Sequence, residues 1–305
     1  MDVSWDGICT ISIVHFMAYP ETMKGEGPII ETVTKIARDD FFTGIEITWI
    51  KDPAVRKEVR QIIDVSHLQV AYGAQPTLLI QKLDLNSKDI TARTKAIEQI
   101  KQCIDEAHEI GAKRLALLSG PDPGPQDRDR AMSLLQDSMI QICTYGKQAG
   151  VGITLETFDD QIDKKCLIGP APLAAKFAKD VKKDFPDFGI MYDLSHLPLL
   201  NETPEDALLV LKDHLAHIHV GNCVKKQDQT GYGDQHPRFG FHAGENDVPE
   251  LTKFLRELFC IGYLKKEASE QRPFVGFEVK PLPGESSDLV VANAKRVWKH
   301  AWALV

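Results

Sequence analysis

The chain is poor in cysteine and has no CxxC pair, which excludes a zinc knuckle and a thioredoxin-like redox motif. Its scattered thiols, from Cys9 to Cys260, read as reduced and mostly buried. No apolar run approaches the roughly 20 residues that cross a bilayer. The opening MDVSWDGICT carries Asp2 and Asp6 where a secretory leader carries Lys or Arg. Basic residues are outnumbered, with 36 Lys plus Arg against 44 Asp plus Glu, so the 305-residue chain carries a net charge of −8. That balance argues against a general nucleic-acid binder. The expectation is a soluble cytoplasmic protein with one domain over residues 1–305.

Short apolar runs alternate with longer amphipathic stretches throughout. Eight runs read as strands: Ile8–His15, Gly44–Ile50, Gln69–Gly73, Arg114–Leu118, Gly152–Thr157, Gly189–Asp193, Leu215–Gly221 and Phe274–Val279. Near-continuous apolar strands are the pattern of a parallel sheet covered on both faces. Between them, Asp89–Ile110 and Arg130–Ala149 carry apolar residues at spacings of three and four, and each stops at a glycine. Thr203-Pro204 and Ser286-Ser287-Asp288 read as helix starts. No GxGxxG follows the first run, which sets an open doubly wound sheet behind a closed (β/α)8 TIM barrel. Two connections are longer than a barrel needs. Tyr72–Lys88 suggests a lid after strand three, and the glycine-rich Gly221–Asp247 forms an insert after strand seven.

In a barrel, polar residues at the C-terminal strand ends line the active site. Glu156, Asp193, His219 and Glu278 hold that position on strands five, six, seven and eight. Singly, each has an ordinary structural explanation: a carboxylate at a strand end can cap the next helix, and a strand histidine can be a hydrogen-bonded core residue. Three carboxylates gathered in one mouth would repel each other toward neutral forms unless a cation joined them. The set therefore reads as a site for one divalent cation, Mn²⁺ first, with Mg²⁺, Co²⁺ or Zn²⁺ also suited to carboxylate–imidazole ligation.

The segments LET, YDLSH, HIHVGN and FEVKP, with GIEI and IGAKRLALLSG, resemble the xylose isomerase-like TIM-barrel superfamily of sugar phosphate isomerases and epimerases. The resemblance implies metal ligation by Glu156, Asp193, His219 and Glu278, with Glu156 and Glu278 doubling as acid–base groups. His196, three residues after Asp193, matches the D-x-x-H feature of ketose 3-epimerases and is a candidate for substrate binding or catalysis. Where family members carry HxGE, this chain has His219-Val220-Gly221-Asn222, which replaces a carboxylate with Asn222. Within the superfamily, the insert YGDQHPRFGFHAGEND and the FEVKP segment resemble the α subunits of C-glycoside deglycosidases. Those enzymes cleave 3-oxo-glucosides and work with a small β subunit.

The chemistry such a site serves begins at a carbon next to a carbonyl. Removing its proton gives an enolate, and returning the proton elsewhere gives an isomer or epimer. A leaving group β to the carbonyl would instead be expelled, as in a 3-oxo-glucoside, and this deglycosidase reading is the first expectation. The isomerase or epimerase is the alternative. Candidate substrate contacts are Asn222, His236, Arg238, His242 and Lys280, the last set on the same barrel side as Glu278 by strand alternation. Arg238 could instead pair with Asp234 as a latch. A metal-dependent endonuclease and a non-enzymatic binding barrel are the rival classes, and the acidic charge stands against the first.

Overall fold

In the computed structural model, which describes residues 4–268, 270 and 272–305, each of the eight apolar runs contains a strand. Asp2 lies outside the described residues. The strands are β1 (Thr10–Ile13), β2 (Gly44–Ile47), β3 (Gln69–Gly73), β4 (Arg114–Leu118), β5 (Gly152–Glu156), β6 (Gly189–Asp193), β7 (Leu215–Gly221) and β8 (Phe274–Glu278). All neighbours pair in parallel, in the order β1-β8-β7-β6-β5-β4-β3-β2. A single parallel bridge between Val14 and Glu46 brings β1 against β2 and closes the ring. The fold is a (β/α)8 TIM barrel.

Several strands are shorter than the apolar runs that predict them. β1 stops at Ile13, and His15 opens a short helix, His15–Ala18. β2 stops at Ile47, before Thr48 to Ile50. Apolar character continues past the ladder because the chain stays buried as it turns over the barrel rim: Ile50 is 1% exposed.

Local chemistry sets the helix ends. The Asp89 side chain caps Ile90–Ile110 by accepting from the Thr91 backbone N–H, and Gly111 ends that helix at φ +92°. Arg128–Ala149 begins two residues earlier than its periodicity predicts and ends at Gly150, φ +71°. Thr203 caps Pro204–Leu211, and Asp247 with Glu250 forms a capping box on Val248–Cys260. Helices alternate with the strands and cover the ring, while side chains such as Ile11, Leu115, Leu155 and Phe277 are fully buried. Five cysteines are buried as well, and Cys260 is exposed. No helix among the described residues is long and apolar enough to cross a membrane.

The long connections are structured. Tyr72–Lys88 holds the helix Gln75–Gln81, and its first residue is buried against the barrel mouth. The insert crosses the same face. Its Phe239 is fully buried, and Val224 and Gly233 pair in an antiparallel bridge.

Candidate metal centre

Parallel strands place their last residues at one rim, so β5, β6, β7 and β8 deliver Glu156, Asp193, His219 and Glu278 to a common point. One donor atom from each lies within 4.8 Å of all the others. His219 Nδ1 is 2.7 Å from Glu278 Oε2 and 3.6 Å from Glu156 Oε1. Asp193 Oδ1 accepts from the Ser195 backbone N–H at 2.7 Å, which leaves Oδ2 without a partner. Glu156 is arranged alike: Oε2 accepts from Gln75 Nε2 at 2.7 Å, and Oε1 is unpartnered. Burial pushes the Asp193 carboxyl above its usual range, although His196 and His236 pull the other way. Carboxylate oxygens left bare in a buried cluster are the condition that a cation relieves.

A buried support holds His219. Its Nε2 lies 2.9 Å from Glu46 Oε2, while Glu46 Oε1 takes His217 Nε2 at 3.0 Å and the Ser12 hydroxyl at 2.7 Å. Burial alone would raise Glu46, but the two imidazoles outweigh it and hold the carboxyl well below the usual range. A carboxylate on the far nitrogen fixes the ring and leaves Nδ1 facing the cluster. Gly276 makes this possible, since a Cβ there would stand 2.1 Å from Glu46 Oε1.

Three residues of the cluster, Glu156, His219 and Glu278, line a cavity of about 160 Å³. One side is polar, with Lys164, Asp234, Gln235, His236 and Lys280. The other is apolar, formed by Phe16, Met17, Met23, Pro76, Leu79 and Ile80. Lys280, two residues beyond the end of β8, lines the same cavity as Glu278.

The remaining sequence candidates are spread more widely. His196 and His236 are buried beside the cluster, and each places Nε2 on Asp234 Oδ1, at 3.1 and 2.8 Å. Asn222 is fully buried, but its amide is used within the insert: it donates to the Arg238 carbonyl and accepts from the Cys223 and Asn246 backbone N–H groups. Arg238 pairs with Glu285 at 2.9 Å, so its latch is to Glu285 and not to Asp234. His242 is exposed and packs on Phe241. None of Asn222, Arg238 or His242 lines the cavity.

Six polar residues of the site escaped the sequence reading of site chemistry: Glu46, His217, Asp234, Gln75, Lys164 and Gln235. A usable signal existed for the first two, since an acid in GIEI and a second histidine in HIH interrupt otherwise apolar strands.

A closed parallel barrel with a buried carboxylate–imidazole cluster at its C-terminal rim defines the class. Residues 35–271 match the family described as Xylose isomerase-like TIM barrel, and the chain belongs to that family. Solved structures of the same fold include a D-tagatose 3-epimerase-like protein, 16% identical with TM-score 0.71, over 97% of this chain and 98% of that one. D-psicose 3-epimerase from Clostridium cellulolyticum H10 is 17% identical with TM-score 0.66, over 96% and 91%. The 3-keto-D-glucoside 4-epimerase from E. coli is 16% identical with TM-score 0.66, over 95% and 98%. No curated protein matches the chain in sequence.

Proposed function

We propose that the protein is a divalent-metal-dependent enzyme that moves a proton beside the carbonyl of a keto sugar, as a sugar epimerase or isomerase does. The observation that carries this reading is the convergence of Glu156, Asp193, His219 and Glu278, with two buried carboxylate oxygens lacking partners. The donor set of three carboxylates and one imidazole fits Mn²⁺, and also Mg²⁺, Co²⁺ or Zn²⁺. When bound, such an ion supplies Lewis acidity to a carbonyl oxygen and a neighbouring hydroxyl.

The chain's own residues would do the rest. Glu156 and Glu278 stand on strands three places apart in the ring, and both line the cavity. Each has fixed partners: Gln75 holds Glu156, while His219 and His236 hold Glu278. In this reading one carboxylate takes the proton from the carbon beside the carbonyl. The other returns a proton from the second face, which inverts that carbon. Lys164, Gln235 and Lys280 offer donors for sugar oxygens. The names of three structural neighbours, a D-tagatose 3-epimerase-like protein, D-psicose 3-epimerase and 3-keto-D-glucoside 4-epimerase, support this substrate class.

A second reading is elimination of the aglycone from a 3-oxo-glucoside, as the deglycosidase resemblance implies, with a small β subunit as partner. One observation favours it: the apolar wall from Phe16 to Ile80 suits an apolar aglycone better than a polyol. Incubation with a free ketohexose and with a 3-oxo-glucoside, each with Mn²⁺ and with chelator, tests both. Metal-dependent appearance of an epimer supports the first reading, and metal-dependent aglycone release, alone or with a co-expressed β subunit, supports the second. Absence of both overturns the proposal.

A further inference from the structure

At the opposite end of the barrel, where the strands begin, lies another cavity. It measures about 330 Å³, within the size range of ligand pockets, and Gln69, Arg114 and Phe274, the first residues of β3, β4 and β8, border it. His217 separates it from the metal centre: it lines the cavity, and its Nε2 is 3.0 Å from Glu46 Oε1.

Charge sets this cavity apart. On a chain of net charge −8, Arg60, Lys113 and Arg114 line it against one carboxylate, Asp64. Asp64 is committed to Arg60, 2.7 Å from its Nε, and Arg60 also lies over Gly111 at a helix end, where only a glycine leaves it room. Arg60 therefore has a structural explanation. Lys113 is exposed and makes no ion pair among the described residues. Arg114 is half-buried, and its Nη1 donates to the Thr154 hydroxyl at 3.0 Å and to the carbonyls of Asp187 and Ile153 at 3.1 and 3.5 Å. Among the described residues, its Nε and Nη2 have no acceptor and no carboxylate pairs with it. Burial pulls the guanidinium below its ordinary pKa, although Tyr263 and Asp187 oppose the shift.

Closing the barrel floor, the ordinary task of residues at this rim, would require only Nη1. The other edge, Nε with Nη2, is the pair of N–H groups that takes a carboxylate or phosphate through two parallel hydrogen bonds. Beside it runs an apolar wall of Leu68, Val70 and Phe274, the last stacked on His217 with ring centroids 5.1 Å apart. We propose that this cavity binds a small molecule joining a phosphate or carboxylate to an apolar ring, with Arg114 and Lys113 holding the anion. A neighbouring cavity shares Lys113 and Arg114, but there Asp184 and Asp187 offset them and Lys147. The inference does not depend on which reaction the metal centre carries out.

Isothermal titration of the whole metal-loaded chain with phenyl phosphate, benzoate and phenol tests this. The expected result is one saturable site for phenyl phosphate or benzoate, the tighter of the two identifying the anion, with neutral phenol roughly 10-fold weaker or more. Arg114→Gln should weaken that binding by roughly 10- to 100-fold. Lys113→Gln, at a more exposed position, should weaken it by roughly 3- to 5-fold. Lys147→Gln, confined to the neighbouring cavity, and Asp193→Asn, at the metal cluster, should both leave it unchanged. Failure of both anions to bind saturably overturns the proposal, as does phenol binding equally tightly. Full affinity in Lys113→Gln together with Arg114→Gln overturns it too, and so does loss of binding in Lys147→Gln or Asp193→Asn. Should Arg114→Gln fail to fold, Arg114→Lys takes its place: it keeps the charge, loses the two-pronged edge and should weaken binding in the same direction.

Discussion

His219 Nε2 lies 2.9 Å from Glu46 Oε2, and that contact points the opposite nitrogen of the ring at the carboxylates of the cluster. Glu46→Gln keeps the shape but removes the charge that fixes the ring. Metal affinity should fall by roughly 10- to 100-fold with the barrel still folded. Titration with Mn²⁺ beside circular dichroism checks this, and wild-type affinity would remove Glu46 from the account.

The same support depends on the absence of a side chain at Gly276. In Gly276→Ala the new Cβ would meet Glu46 Oε1 at 2.1 Å, Ser12 Oγ at 2.9 Å and His219 Cδ2 at 3.0 Å. The expected cost is about 1–3 kcal/mol of stability, together with weaker metal binding if the ring it displaces is a ligand, as proposed. Denaturant melts and metal titration of the variant measure the two effects separately.

How much of this arrangement is legible in the sequence depends on where the partners lie. The strand-end acids and His219 can be read because a parallel barrel puts successive strand ends at one rim, whatever the details of packing. Glu46 cannot be read as a partner of His217 and His219, because those residues lie 171 and 173 positions away and meet it only through ring closure. Asp234 is hidden for another reason: an irregular insert has no period from which to infer where a side chain points. That absence explains why Asn222, Arg238 and His242, all plausible as substrate contacts, face backbone, Glu285 and solvent instead. Gln75 is concealed in a stretch read as a lid, where a short helix instead packs its first residue against Glu156.

His15 is one source of acid sensitivity away from the cluster. Burial pushes His15 down to about 3, and its Nε2 lies 2.7 Å from Thr32 Oγ1. Because the folded form takes up the proton less readily than the unfolded one, acid favours unfolding. The neutral ring's contribution is complete above about 6.5 and is lost as pH falls toward 3, at up to about 1.4 kcal/mol per pH unit. His15→Gln should show a shallower loss of stability than the wild type across that window. Parallel slopes in the two proteins would show that His15 is not the source.

The apolar wall supplies a test of substrate choice. Leu79 and Ile80 are 42% and 41% exposed beside the cavity, a large apolar surface to leave open. Under the elimination reading, Leu79→Ala should lower kcat/KM for a 3-oxo-glucoside with an aromatic aglycone by roughly 10-fold. Turnover of a free ketohexose, which has no aglycone to meet the wall, should change little. Equal losses on both substrates would assign the wall to packing.

The central claim is that the carboxylates of one metal cluster govern proton movement beside a keto-sugar carbonyl, and Asp193→Asn tests it most directly. The measurement is bound metal by plasma emission, together with deuterium incorporation from heavy water into a ketohexose or 3-oxo-glucoside, for wild type and variant. The account predicts Mn²⁺-dependent incorporation at the carbon beside the carbonyl in the wild type, with loss of both metal and incorporation in the variant. Full metal content and undiminished incorporation in Asp193→Asn would contradict it.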